Sequence, residues 1–290
     1  MVKRLQYTFE NKGDVILADH VLARDFLREA GRHGFGIAPT TISAVEGSKA
    51  GSKFRRSRRG SRTIDMPISI FGEDRDETEA KLRRFARLLQ DDESAPKLVA
   101  TYPGGERVYA EIHYSAGADP TYGTDTDGLG YCRWPLVLWA PSPYWTDEAP
   151  ISYSIESANQ GRGLLPNLSQ LQLSSSQTMG SVHIENTGDV EAFPVWQIRG
   201  PGDNFRATRF DGKSYYYKVP IASGETITVD TVRKTVTDQN GENKYINLDT
   251  APKLFSIPSG GSDVSVVMEN SSPGESLVSL YFNPRRELIF

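Results

Sequence analysis

Residues 181–202 read SVHIENTGDVEAFPVWQIRGPG, and two short hairpin-like segments later residues 224–244 read GETITVDTVRKTVTDQNGENK. Strand-like runs such as SVHIEN and PVWQIRG alternate here with turn signals at Thr187-Gly188, Pro201-Gly202, Asp211-Gly212 and Asn240-Gly241. Asn-Gly and Asp-Gly between alternating runs favour hairpins, because the mirror-image turns need positive φ, which Gly and Asn adopt cheaply. Predicted strands recur roughly every 8–12 residues through to the last residues, the spacing of a sandwich or jelly roll. The stretch therefore predicts an antiparallel β-sandwich over residues 181–290, a scaffold suited to binding and assembly more than to catalysis.

Working outward, residues 149–180 hold one strand-like run, ISYSI, and then a Ser-, Gln- and Asn-rich connection. Before them APSPYW (140–145) closes a first domain, 1–148, since Pro141 and Pro143 remove backbone donors and suit a strand exit. In that domain Leu5–Phe9, Val15–Leu17, Lys97–Tyr102, Arg107–Tyr114 and Tyr131–Ala140 read as strands. Ile64, Met66, Ile68 and Ile70 alternate with polar residues over Thr63–Phe71, a half-buried strand. DRDETEAKLRRFARLLQ (74–90) sets Leu82, Phe85, Leu88 and Leu89 at helical spacing. Acidic residues crowd its start and Arg83, Arg84 and Arg87 lie toward its end, which complements the helix dipole. Residues 19–32 stay ambiguous: Val21, Leu22, Phe26 and Leu27 fit a helical stripe that Gly31 and Gly34 cut short. Ser43–Ser61 reads as an exposed loop or arm, and 116–130 as a polar loop. The fold class is mainly β, with one helix.

Composition excludes several function classes. A chain of 290 residues, 38% hydrophobic and 24% charged, builds two ordinary cores. Its net charge of −4 is too mild to argue for a nucleic-acid binder on bulk charge. The opening MVKRLQYTFENKGD lacks the apolar region of a signal peptide, and apolar runs fall short of the ~18 residues of a membrane helix, so no membrane insertion is expected. The single cysteine, Cys132, excludes an internal disulfide and a multi-cysteine zinc site, and folding in a cytoplasm follows most simply.

Catalytic chemistry finds little to work with. His20, His33, His113 and His183 lie in no recognisable motif, and structural roles suit the two in strands, His113 and His183. GSKAGSK (47–53) lacks the spacing of a phosphate loop. Asp125-Thr126-Asp127-Gly128 lacks the further acids of a calcium loop. A carboxylate pair for glycoside hydrolysis is marked nowhere. No cofactor, metal or enzymatic activity is expected, and Cys132 reads as a small structural hydrophobe. The run KFRRSRRGSR stands out: Lys53, Arg55, Arg56, Arg58, Arg59 and Arg62 place six charges in ten residues. Such a cluster steers toward acidic protein surfaces or phosphates, with a solvated loop as the competing reading. Trp196, Tyr215 and Tyr217 are candidates for a sugar-stacking platform, Tyr216 pointing oppositely, with sandwich packing as the competing reading.

Several segments, in order and spacing, resemble the distal tail protein family of long-tailed phages. They are RRGSRTIDMPISIFG (58–72), the helix ending in ARLLQ, WPLVLWAPSPYW (134–145), ENTGDVEAFPVWQIRGPG (185–202), GETITVDTVRKTVTDQNG (224–241) and IPSGGSDVSV (257–266). The Ser43–Ser61 arm and the 119–130 loop depart from that pattern. The resemblance implies a β-rich amino-terminal domain that closes a ring, typically a hexamer, followed by a galectin-like sandwich. It implies a structural part at the distal end of the virion tail, made and assembled in the host cytoplasm. The implied partners are its own copies, the major tail tube protein, the tail hub or tail-tip protein and the tape-measure protein. Recognition of a host glycan through the sandwich is the alternative.

Overall fold

A computed structural model describes residues 4–18, 25–48, 50–90, 94–117, 119, 130–156 and 178–289. They are mainly β, and the chain divides into two compact units: residues 1–149 with 286–290, and residues 150–285.

Unit 1 begins with β1 (Gln6–Asn11), β2 (Asp14–Leu17), β3 (Phe26–Arg28), β4 (Thr40–Glu46), β5 (Ser52–Arg59) and β6 (Arg62–Phe71). After α1 (Arg75–Leu88) come β7 (Lys97–Thr101), β8 (Arg107–Glu111), β9 (His113–Ala116), β10 (Tyr131–Ala140) and β11 (Trp145–Asp147). One sheet runs β2-β1-β7-β8-β11 and ends on the late strand Arg285–Arg286; the other runs β3-β6-β10-β9. Strict alternation explains their shared core. Ile64, Met66, Ile68 and Ile70 of β6 and Cys132, Trp134, Leu136 and Leu138 of β10 point inward, with Tyr7, Phe9, Leu98 and Val108 from the other sheet. Pro67 and Pro135 stand opposite each other in the β6–β10 ladder. Pro67 faces β3, where its carbonyl accepts from Glu29 N, so the missing N–H costs that ladder nothing.

The helix forms where its spacing predicts. Asp74 caps it by accepting from Glu77 N at 2.8 Å, while the Glu77 carboxylate reaches back to Glu73 N. Its buried Phe85 meets Phe9, Phe26 and Trp134 edge-on at 4.9–5.6 Å.

Three expectations change here. The strand expected over Arg107–Tyr114 breaks at buried Ile112, so that β8 and β9 lie in different sheets. The ambiguous segment carries a strand, β3, at Phe26–Arg28, while Val21, Leu22 and His20 lie outside the described residues. The arm expected as a loop is a β-hairpin, β4–β5. The Asp125–Gly128 run also lies outside the described residues.

Unit 2 stacks two sheets. Its strands are β12 (Ile151–Glu156), β13 (Thr178–Ile184), β14 (Val195–Arg199), β15 (Asp203–Arg209), β16 (Ser214–Tyr217), β17 (Thr226–Asp230), β18 (Thr235–Thr237), β19 (Ser262–Glu269) and β20 (Leu277–Phe282). The orders are β12-β20-β14-β17-β18 and β13-β19-β15-β16. Trp196, Ile198, Ile227, Val229 and Leu280 from one sheet meet Phe205, Tyr215, Val264 and Val266 from the other. Asp211-Gly212 turns the β15–β16 hairpin and Asn240-Gly241 a tight return after β18, with Gly212 and Gly241 at φ near +80°. Thr187-Gly188 and Pro201-Gly202 instead fall where the chain crosses between sheets. At the first crossing, buried Asn186 donates to the carbonyls of Val190, Ile257 and Pro258 and accepts from Gly188 N.

Candidate assembly surface

The hairpin β4–β5 forms a two-stranded sheet of its own. Its residues are exposed except Ser43 and Arg59, which are half-buried, so neither face is covered by the chain among the described residues. Pairing fixes which side chains share a face, since directly opposed residues point the same way. Thr41–Arg58, Ser43–Arg56 and Val45–Lys53 lie on one face; Thr40–Arg59, Ile42–Ser57 and Ala44–Phe54 lie on the other. The register shifts between Ser43 and Ala44, and Arg55 is the extra residue of that bulge. One face is thus basic. The other carries Ile42 and Phe54, 66% and 61% exposed. Large apolar side chains left bare on a two-stranded sheet are a candidate contact surface.

Charge points the same way. Residues 40–59 contain Lys49, Lys53, Arg55, Arg56, Arg58 and Arg59 against Glu46, a net +5 within a chain of net −4, which leaves the rest at −9. The arm is the cationic exception on an acidic molecule.

The root of the arm is fixed. Arg62, grouped by sequence with the contact arginines, is 1% exposed and belongs to the scaffold instead. Its guanidinium donates to the carbonyls of Gly34 (2.7 Å), Gly36 (3.1 Å), Glu287 (3.0 Å) and Pro143. It also lies over the Trp145 ring at 5.3 Å. Burial pushes its pKa down to about 10, so it stays charged at neutral pH. Gly34 sits at φ +90° with its Cα against Thr63 O, where a Cβ would come within 2.1 Å, which brings its carbonyl into Arg62's reach. Arg59 pairs with Glu287 at 2.9 Å, Gly60 N donates to Pro39 O, and Ile289 N donates to Phe35 O. The exposed basic residues of the arm are therefore Lys53, Arg55, Arg56 and Arg58, with half-buried Arg59 paired at the root.

The sugar-platform expectation is corrected. Trp196, Tyr215 and Tyr217 are 0–2% exposed and point into the unit 2 core, where Tyr215 packs against Trp196, Phe205 and Phe255. A ring sealed between two sheets offers no face to a ligand. Cys132 is buried, as a small hydrophobe would be. Of the histidines, His113 stands 5.5 Å from the Trp139 ring and His183 pairs with Asp263 at 2.8 Å. Among the described residues no group of His, Cys, Asp and Glu is placed to hold a metal. No helix is long and apolar enough to cross a membrane.

No protein-family model matches the sequence, and no curated protein matches it either. Solved structures do. The chain is similar to the Dit protein of phage SPP1, described as a paradigm of the hub adsorption apparatus of phages infecting Gram-positive hosts. The TM-score is 0.67 at 11% identity, over 96% of this chain and 98% of that one. It is also similar to a chain of the phage p2 baseplate in its activated conformation with strontium, TM-score 0.53 at 14% identity over 99% and 100%. The calcium form of that baseplate gives 0.51 at 14% identity over the whole of both chains. The likeness is one of fold, and it runs through both units.

Proposed function

We propose that the chain is a non-enzymatic structural component of a phage tail tip, assembling with its own copies into a ring that joins the tail tube to the hub or host-recognition apparatus. The observation that carries this reading is whole-length likeness of fold to a tail-hub protein, in a chain with an exposed, amphipathic hairpin arm. Six-fold closure, and contact with the tube, hub and tape-measure proteins, are what the family resemblance adds. The virion, at the distal end of its tail, is the corresponding location.

Covering the exposed parts of Ile42 and Phe54 contributes roughly 3 kcal/mol to an interface, while association costs at least ~4 kcal/mol in lost freedom, so one arm contact alone does not hold two copies together.

Native mass spectrometry and negative-stain images of the purified chain test the reading. The unaltered chain is expected to form a discrete closed oligomer. The double variant I42S/F54S and the triple variant R55S/R56S/R58S are expected to stay monomeric while melting within a degree or two of it, because those side chains touch no core. A chain that remains a monomer alone and in mixtures with its neighbouring tail proteins would sink the proposal.

A further inference from the structure

The basic face of the arm carries charge that nothing in the chain answers. Lys53, Arg55, Arg56 and Arg58 are exposed, and none of their side chains forms an ion pair or hydrogen bond among the described residues. Elsewhere in unit 1 cations are matched: Arg59 meets Glu287, Arg84 meets Asp14, Arg107 meets Glu10 and Arg133 meets Glu29. The arm alone holds several neighbouring cations with no counter-charge.

Register gives that charge an order. Thr41 stands opposite Arg58 and Ser43 opposite Arg56, so a hydroxyl and a guanidinium lie side by side twice on one face. The two pairs are two residues apart along each strand, ~7 Å. Val45 and Lys53 follow as the third pair, past the bulge at Arg55. Thr41, Ser43, Arg56, Ser57 and Arg58 line a cleft of about 500 Å³. Neither hydroxyl is engaged by another group among the described residues. The carboxylate of Glu46 stands opposite Ser52, on the other face.

From this arrangement we infer that the basic face of the arm binds the phosphate backbone of double-stranded nucleic acid, without regard to sequence. A phosphodiester has two unesterified oxygens, so one accepts from the guanidinium while the other accepts from the neighbouring hydroxyl. A carboxylate takes the guanidinium fork with both its oxygens and leaves the hydroxyl idle. Repetition of the pair along the strand suits a polymer with one charge on every unit. A two-stranded antiparallel ribbon also fits the ~12 Å major groove of a B-form duplex, with the flanking phosphates in reach of long basic side chains. Contacts of this kind set affinity by charge and not by base identity. The face lies opposite Ile42 and Phe54, so the inference goes beyond the ring reading and does not depend on ring closure.

Fluorescence polarisation of a short DNA duplex of mixed sequence, titrated with the full-length chain over a series of salt concentrations, tests this. The I42S/F54S variant serves as the background, so that binding is read on a single arm. It should bind the duplex with log K falling against log salt at a slope of about −3 to −4, a step of about −0.9 for each phosphate engaged. Adding R55S/R56S/R58S should bring the slope to about −1 and lower affinity at low salt about a hundredfold or more. Adding R55K/R56K/R58K instead should keep the slope. No binding at about 50 mM salt, a slope that survives loss of the arginines, or tighter binding of a single strand of equal length would each overturn the inference. So would polyglutamate competing as well as the duplex at equal charge, which would assign the face to an acidic protein. A chain that forms closed oligomers yet binds no duplex removes this inference alone; duplex binding by a chain that never oligomerises removes the ring reading alone.

Discussion

Arg62 shows how far one side chain's meaning depends on what surrounds it. In sequence it is the last member of a basic run; in the fold it is a buried tie among four backbone carbonyls. No spacing rule separates it from Arg58 or Arg59, because burial is set by Trp145, Gly34 and Glu287, which lie far away in the chain. Removing it leaves several buried acceptors without a donor, at ~1–3 kcal/mol each before water relieves some of them. R62M should therefore destabilise unit 1 by about 3 kcal/mol in urea titrations. R62K should recover only part of that, since an ammonium lacks the planar fork. An R62M chain as stable as the parent would show that the carbonyls are satisfied otherwise. The tyrosines at 215 and 217 teach the complementary lesson. The period of two correctly put them on one face and Tyr216 on the other, but periodicity does not say which face is wet.

Elements were legible wherever local chemistry alone decides them. The helix declared itself through its cap, its acidic start and its apolar stripe. The β6 and β10 runs did so through alternation that the core then used in full. Legibility failed where partners are distant. The arm looked like a loop because both its faces lack the alternation that burial imposes, and the crossing at Ile112 carries no Gly or Pro to mark it. The β15–β16 hairpin shows a turn whose chemistry reaches further than its backbone. Asp211 accepts from buried Arg209 and from Lys213 N, and the Arg209 hydrogen bonds hold its carboxyl well below the ordinary carboxylate range. A depressed native pKa stabilises the fold above the unfolded value near ~4 and loses that contribution as pH falls through the native value. D211N should accordingly melt below the parent at neutral pH, with the gap narrowing steadily in melts taken below about pH 4. A gap independent of pH would assign the effect to the turn's shape rather than to its charge.

At the scale of the molecule, the residues that seat the arm come from opposite ends of the chain. Glu287 and Ile289 follow the whole of unit 2 in sequence, yet they tie down Arg59, Arg62 and Phe35 at the hairpin's root, with Arg286 clasping Asp147 through two hydrogen bonds. Arg62 and Glu287 are 225 positions apart. A ribosome adding ~5–20 residues per second needs on the order of ten to forty-five seconds to cover that distance. During that interval the arm protrudes from a nascent chain without its final fastening. A chain cut after Pro284 should accordingly show faster amide exchange across residues 34–62, while the β6–β10 ladder stays protected; equal protection at the root would mean the fastening is dispensable. Until Glu287 and Ile289 are in place, Arg59, Arg62 and Phe35 at the hairpin's root lack the partners that the fold gives them.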